Sequence, residues 1–146
     1  MLRCAWSALT NAGSVVYDGI HDLLAELHGR GQKLAIVTKS PDMVAKAFIR
    51  QHRWPIDIVV GYHQVSRRKP DPEGLLLAMK QGGASPGSTF HVGDQAQDTE
   101  ASRAAGVVAL GSAWGIVDTA ELIASAPDGL FPSVAALREF LSENTL

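Results

Sequence analysis

The stretch Ser88-Thr-Phe-His-Val-Gly-Asp-Gln-Ala-Gln-Asp98 decides the fold of this chain. Its apolar first half predicts a buried strand, and Asp94 follows at the carboxyl end, where open α/β sheets place their ligands. Asp98 comes four residues later, in the first turn of the predicted next helix, so both carboxylates share one face. Carboxylates about 6 Å apart repel by roughly 3 kcal/mol at an effective dielectric of about 20. The pair therefore predicts a nearby cation, and oxygen ligands of this kind favour Mg²⁺.

Length and composition restrict the class of protein. The 146 residues suit one domain, residues 1–146, with a single substantial core. A hydrophobic content of 46%, a charged content of 19% and a net charge of −2 predict a soluble globular protein, and no basic stripe suggests a nucleic-acid partner. The single cysteine excludes an internal disulfide. With no leader-like start and no long apolar run, we expect a cytoplasmic protein without a membrane partner. Oligomeric state cannot be predicted from this sequence.

Short apolar runs alternate with amphipathic helical patterns along the chain. Strands are predicted at 33–38, 56–60, 89–92 and 107–110, with helices between them. Ser40 is expected as the N-cap of the helix that begins at Pro41, and Leu75, Leu76 and Met79 are expected to be buried in the helix that follows Pro70-Asp71-Pro72. This alternation predicts an α/β fold: a three-layer, doubly wound parallel sheet with helices on both faces and no sizeable cap domain.

Polar groups occur at loop positions where packing does not require them. Thr38 ends a predicted strand, and its hydroxyl and the backbone N–H groups after it can hold a phosphate oxygen. Lys69 precedes the Pro-Asp-Pro helix start and offers a point charge to a phosphoryl group. Asp94 and Asp98 complete an acidic pocket for a cation. Each residue also has a purely structural explanation. Thr38 can be an ordinary strand residue and Lys69 a solvated lysine, and the two aspartates can be acidic residues at a helix N-terminus.

Several other residues and motifs narrow the choice of function. Tyr62 and His63 lie on a loop near the expected site and are weaker candidates for substrate contact, whereas His91 is expected to fill a polar niche in the core. Lys39 is interpreted as a surface lysine. No Gly-rich loop ending in Gly-Lys-Ser/Thr and no Gly-x-Gly-x-x-Gly motif occurs, which excludes Walker-type hydrolases and dinucleotide-binding domains.

The order and context of these motifs resemble the haloacid dehalogenase superfamily, in particular its phosphoglycolate-phosphatase-like branch. Ala35-Ile-Val-Thr38 is similar to the second motif of that family, Lys69-Pro-Asp-Pro-Glu-Gly74 to its third, and Gly93-Asp94 followed by Asp98 to its fourth. The resemblance runs from about residue 17 to residue 141. It implies the Rossmann-like fold of that superfamily.

The resemblance also implies a chemistry. Asp94 would ligate Mg²⁺, with Asp98 supporting the metal or its waters. Thr38 and Lys69 would bind the phosphoryl group of a small phosphorylated metabolite, and Lys69 would also steady the nucleophilic carboxylate. Thr38, Lys69 and Asp94 would then be the catalytic residues of a phosphatase that hydrolyses a phosphomonoester through an aspartyl-phosphate.

The first motif of the family, Asp-x-Asp-x-Thr, is absent, because the first acidic residue is Asp18. In one explanation, residues 1–16 are the end of a cap domain and the true first strand is lost. In the other, Leu2 to Leu9 is that strand, and Trp6 and Ala8 replace its aspartates. Loss of a central strand would leave two exposed ladders, which favours the second explanation. Both predict a nearly inert phosphatase; the alternative is a non-catalytic module that binds a metal, a phosphorylated ligand or a partner.

Overall fold

The structure, a computed structural model, describes residues 2–4, 10–11 and 15–144, and the side chains from residue 16 to residue 144. No helix among these residues is long and apolar enough to cross a membrane. The helices and strands follow in chain order: β1 (Leu2–Cys4), β2 (Thr10–Asn11), β3 (Val15–Val16), α1 (Ile20–Gly29), β4 (Leu34–Val37), α2 (Asp42–His52), β5 (Ile58–Val60), α3 (Glu73–Gly82), β6 (Phe90–Gly93), α4 (Ala96–Ala105), β7 (Val108–Ser112), α5 (Ala120–Ala124), β8 (Gly129–Phe131) and α6 (Val134–Asn144).

Six strands form one parallel sheet in the order β5-β4-β1-β6-β7-β8, and β2 pairs with β3 in a separate antiparallel hairpin. The strand β1 is central: Leu2 pairs with Leu34 of β4 on one side and with Phe90 of β6 on the other. A first strand at the amino end of the sequence is thereby confirmed over Leu2–Cys4. Residues 5–9, where Trp6 and Ala8 were expected to replace aspartates, lie outside the described residues.

Alternate side chains of β4 enter two different hydrophobic cores. Leu34 and Ile36 pack with residues of α1 and α6, whereas Ala35 and Val37 pack with residues of α3 and α4. All four residues are buried because helices cover both faces of the sheet, which is why the strand reads as a continuous apolar run. The predicted three-layer, doubly wound α/β architecture is confirmed.

Two local predictions are wrong. The N-cap of α2 is Pro41 and not Ser40. The backbone of Ser40 instead ties two loops together, since its N–H donates to the hydroxyl of Thr38 and its carbonyl accepts from the N–H of Tyr62. Leu76 is 47% exposed. Leu75 and its neighbours three and four residues on form the buried stripe of α3, and Leu76 falls beside that stripe.

Candidate active site

The predicted site residues lie on loops at the carboxyl edge of the sheet. Thr38 directly follows β4, and Asp94 directly follows β6. Lys69 lies on the connection between β5 and α3, and Asp98 lies in the first turn of α4. Because β1 separates β4 from β6, these loops surround the end of the central strand.

Lys69 and Asp98 form a buried ion pair. The Nζ of Lys69 donates to Oδ1 of Asp98 at 2.6 Å, and the two side chains are 7% and 5% exposed. The other carboxylate oxygen of Asp98 accepts from the backbone N–H of Gln95 at 3.1 Å, as part of a capping box at the start of α4. The ammonium group of Lys69 therefore already neutralises this carboxylate, and the Mg²⁺ predicted beside it stays a prediction.

The surroundings of Asp98 favour its ionised form. Burial by itself raises the pKa of this carboxyl group, but the charge of Lys69, the nearby His91, and the hydrogen bonds from Lys69 and Gln95 together outweigh burial and hold the pKa below its ordinary value of 3.8. His91 is itself 1% exposed, and its Nδ1 lies 2.7 Å from Oγ of Ser102. The structure thus buries His91 beside a polar partner, at a position that borders the site.

Gly93 explains how Asp98 fits against the end of β6. A Cβ at position 93 would lie under 3.0 Å from the side chain of Asp98, closer than real Cβ contacts come. The glycine before Asp94 therefore leaves room for the second carboxylate of the motif. This requirement is visible in the sequence only as the spacing of Gly93 and Asp98.

Thr38 and Lys69 line the same narrow cavity, which Lys39 and Arg68 also line. Thr38 is 8% exposed, its backbone N–H donates to the carbonyl of Val60 at 2.9 Å, and its hydroxyl accepts from the N–H of Ser40 at 3.1 Å. A hydroxyl that accepts one hydrogen bond can still donate its proton to a ligand oxygen. The structure thus brings together the two residues predicted to bind a phosphoryl group.

Asp94 lines a neighbouring groove of about 630 Å³, together with Gln97 and Glu100. Lys39 connects this groove with the cavity of Thr38, since its Nζ donates to Oε1 of Gln97 at 2.5 Å. Lys39 is exposed, as its interpretation as a surface lysine predicts, but that interpretation did not include its place between the groove and the cavity. The available signal was its place directly after Thr38, at the end of a strand in the site.

The described residues do not form a complete metal site by themselves. Over these residues there is no group of three or more His, Cys, Asp or Glu side chains that could hold a metal ion. Both oxygens of Asp98 already accept hydrogen bonds, from Lys69 and Gln95. Mg²⁺ is often held by one or two carboxylates together with water and substrate phosphate oxygens. Asp94 therefore fits Mg²⁺ only in combination with such further ligands, and the ligand roles of Asp94 and Asp98 stay predictions.

Comparison with known proteins shows the family. The family model of the haloacid dehalogenase-like hydrolases matches residues 5–111 of this chain. The chain is 38% identical over 121 residues to the probable phosphatase IndB of Dickeya dadantii, covering 82% of this chain and 53% of that protein. It is 30% identical over 130 residues to a phosphoglycolate phosphatase of Pseudomonas putida, and the match covers 85% of this chain and 46% of that protein.

A solved structure supports the same assignment. The crystal structure of a hydrolase from Pseudomonas syringae matches with a TM-score of 0.78 and 26% identity, covering 90% of this chain and 62% of that one. The chain spans about half the length of the curated relatives it matches. On the motifs, the fold and these matches, the chain belongs to the haloacid dehalogenase-like hydrolase family.

Proposed function

We propose that this chain is the core of a Mg²⁺-dependent phosphomonoester phosphatase that has kept its phosphoryl-binding residues and lacks its nucleophile. Thr38 and Lys69 hold the phosphoryl group of a small phosphorylated metabolite. Asp94 holds Mg²⁺ together with a phosphate oxygen. Bound there, the metal neutralises charge on the phosphoryl group.

The buried ion pair of Lys69 and Asp98 carries this proposal. An ammonium group has three N–H donors, and the bond to Asp98 uses one of them. Asp98, fixed by the backbone N–H of Gln95, holds the Nζ of Lys69 in one position beside the cavity that Thr38 lines. A charge held in place with little water around it binds an anion more strongly than a solvated one. Such an arrangement suits a phosphoryl group.

The missing nucleophile limits the chemistry. No aspartate or glutamate precedes Asp18, although Leu2–Cys4 forms the central strand at whose end the family places its first motif. Removal of a nucleophile typically costs several orders of magnitude in rate. We therefore expect phosphate binding with little or no hydrolysis. The second candidate, a non-catalytic module that binds a metal, a phosphorylated ligand or a partner, rests on the same absence and differs in having no residual turnover.

Calorimetric titration with inorganic phosphate, with and without Mg²⁺, tests the proposal. The natural chain should bind phosphate, and Mg²⁺ should strengthen binding. Thr38→Val should weaken binding in both conditions, whereas Asp94→Asn should remove only the effect of Mg²⁺. Glu121→Gln is the matched control, because Glu121 lines the groove of Asp94 and has no proposed part in binding. Failure of the natural chain to bind phosphate in either condition would refute the proposal.

A further inference from the structure

We infer that His91 is a positioning residue of the proposed phosphoryl site: through the hydroxyl of Ser102, its ring fixes α4 against β6. The helix placed in this way holds Asp98, and with it the ammonium group of Lys69, at the cavity. The inference rests on the proposed function, and it adds a residue that acts only through its neighbours. It follows from the register of α4 on β6, from the packing between them and from a chain of hydrogen bonds.

Two residues of β6 face two residues of α4. The ring of His91 lies against Ser102, and Gly93 lies against the side chain of Asp98. Residues two positions apart on a strand are separated by about 6.6 Å, and residues four positions apart on a helix by about 6 Å. Because these spacings match, both contacts form at one placement of the helix along the strand. A shift of α4 along β6 would disturb both contacts together.

The apolar contacts of α4 do not fix this placement by themselves. On this face of the sheet α4 packs with Ala101 and Ala105, which have only methyl side chains. Burial of apolar surface is not directional, so these contacts resist a small shift of the helix only weakly. A hydrogen bond depends on distance and angle. The bond between Nδ1 of His91 and Oγ of Ser102, at 2.7 Å, therefore opposes such a shift.

The available protons set the direction of each hydrogen bond. The Ser102 hydroxyl has one proton, which it donates to the backbone carbonyl of Asp98 at 2.8 Å. Its oxygen therefore accepts from His91, which means that the Nδ1 of His91 carries a proton. The side chain of Asp98 in turn accepts from the Nζ of Lys69 at 2.6 Å. His91 and Ser102 are each 1% exposed, so water does not compete for these bonds.

Calorimetric titration with inorganic phosphate in Mg²⁺ tests the inference, on variants that circular dichroism shows to be folded. His91→Leu removes the N–H donor and should weaken phosphate binding about tenfold, which corresponds to one hydrogen bond. His91→Asn should restore most of the affinity, because the amide offers an N–H donor at the place of Nδ1. Ser102→Ala should weaken binding as His91→Leu does, and alanine suits the helix.

Thr89→Val is the matched control. Thr89 directly precedes β6, at the edge of the sheet opposite the site, and it is also 1% exposed. Its hydroxyl donates to the carbonyl of Ser85 at 2.7 Å. Thr89→Val should lower the free energy of unfolding in urea and leave phosphate affinity unchanged. This control separates positioning of the site from a general loss of stability.

Nuclear magnetic resonance of the ring nitrogens tests the hydrogen-bond chain without a ligand. In the natural chain, Nδ1 of His91 should be protonated, and a ring protonated at Nε2 alone would overturn the inference. Natural affinity in folded His91→Leu, or an equal loss in His91→Asn, would overturn it and leave the proposed function intact. If His91→Leu does not fold, Ser102→Ala decides by the same criterion. If the natural chain does not bind phosphate, the proposed function fails and the inference fails with it.

Discussion

Breaking the buried pair of Lys69 and Asp98 should cost much of the stability of this protein. Lys69→Met keeps the apolar length of the side chain but leaves the Asp98 carboxylate 5% exposed without its cation. Removing one partner of a buried ion pair typically costs about 3–5 kcal/mol. Domains of this kind have a total free energy of unfolding of about 5–15 kcal/mol. Asp98→Asn should also destabilise the protein, because it leaves the buried ammonium group of Lys69 without its carboxylate partner.

The double variant Lys69→Met/Asp98→Asn separates the charge effect from simple loss of packing. It leaves no charge at the site, and the asparagine can still accept a hydrogen bond from the backbone N–H of Gln95. We therefore expect it to be more stable than Lys69→Met alone. The difference between their free energies of unfolding is the cost of burying an unpaired carboxylate, which is present in Lys69→Met and absent from the double variant.

The same pair predicts how stability depends on pH. The pKa of Asp98 is lowered in the folded protein, below its ordinary value of 3.8. As pH falls, the unfolded chain takes up this proton before the folded one does. The stabilisation is therefore fully present above the unfolded pKa, and it is lost as pH falls through the lower folded value. In Asp98→Asn, the free energy of unfolding should change less with pH over this acidic range.

Urea unfolding followed by far-ultraviolet circular dichroism measures these effects at pH 7 and at steps down to about pH 3, the range in which aspartates titrate. If Lys69→Met lowers the free energy of unfolding by less than about 1 kcal/mol, the pair contributes no more than an exposed ion pair does, and the reasoning is refuted. A double variant no more stable than Lys69→Met would refute it as well.

Two further predictions concern packing around the site and in the core. Gly93→Ala should lower the free energy of unfolding by about 1–3 kcal/mol or more, because its Cβ would clash with Asp98. Gly87→Ala is the control, since a Cβ there meets nothing within 4 Å, and it should change the free energy of unfolding by less than about 0.5 kcal/mol. Urea unfolding measures both variants. His21→Leu should cost about 1–3 kcal/mol in the same assay, since Nδ1 of His21 accepts from the indole N–H of the buried Trp54 at 2.9 Å; a change near zero would show that this bond is dispensable.

The architecture could be predicted because a parallel sheet covered on both faces needs strands that are apolar throughout. The run from Leu34 to Val37 has this character, and the structure buries all of it. The meeting of Thr38 with Lys69 also follows from topology, since both lie at the carboxyl edge. Leu76 was misplaced because one step along a helix turns a side chain by about 100°, which is enough to move it from the core to solvent.

The partners of the site residues could not be predicted in the same way. Charge repulsion between Asp94 and Asp98 predicts Mg²⁺ near them, which stays a prediction, and it gave no sign that the ammonium group of Lys69 would pair with Asp98. That pairing depends on how closely the loop before α3 approaches the start of α4, which no local pattern encodes. The bond from Lys39 to Gln97 has the same origin, because it joins loops that follow different strands.

We propose that the chain keeps a working phosphoryl site and lacks the carboxylates of the first motif. Hydrolysis of p-nitrophenyl phosphate in Mg²⁺ tests it most directly, with the natural chain beside Trp6→Asp/Ala8→Asp. We expect no hydrolysis above a metal-free control for the natural chain. The double variant should hydrolyse the ester, and adding Lys69→Met should abolish that activity. Hydrolysis by the natural chain that Asp94→Ala abolishes would contradict it, because another group would then be the nucleophile.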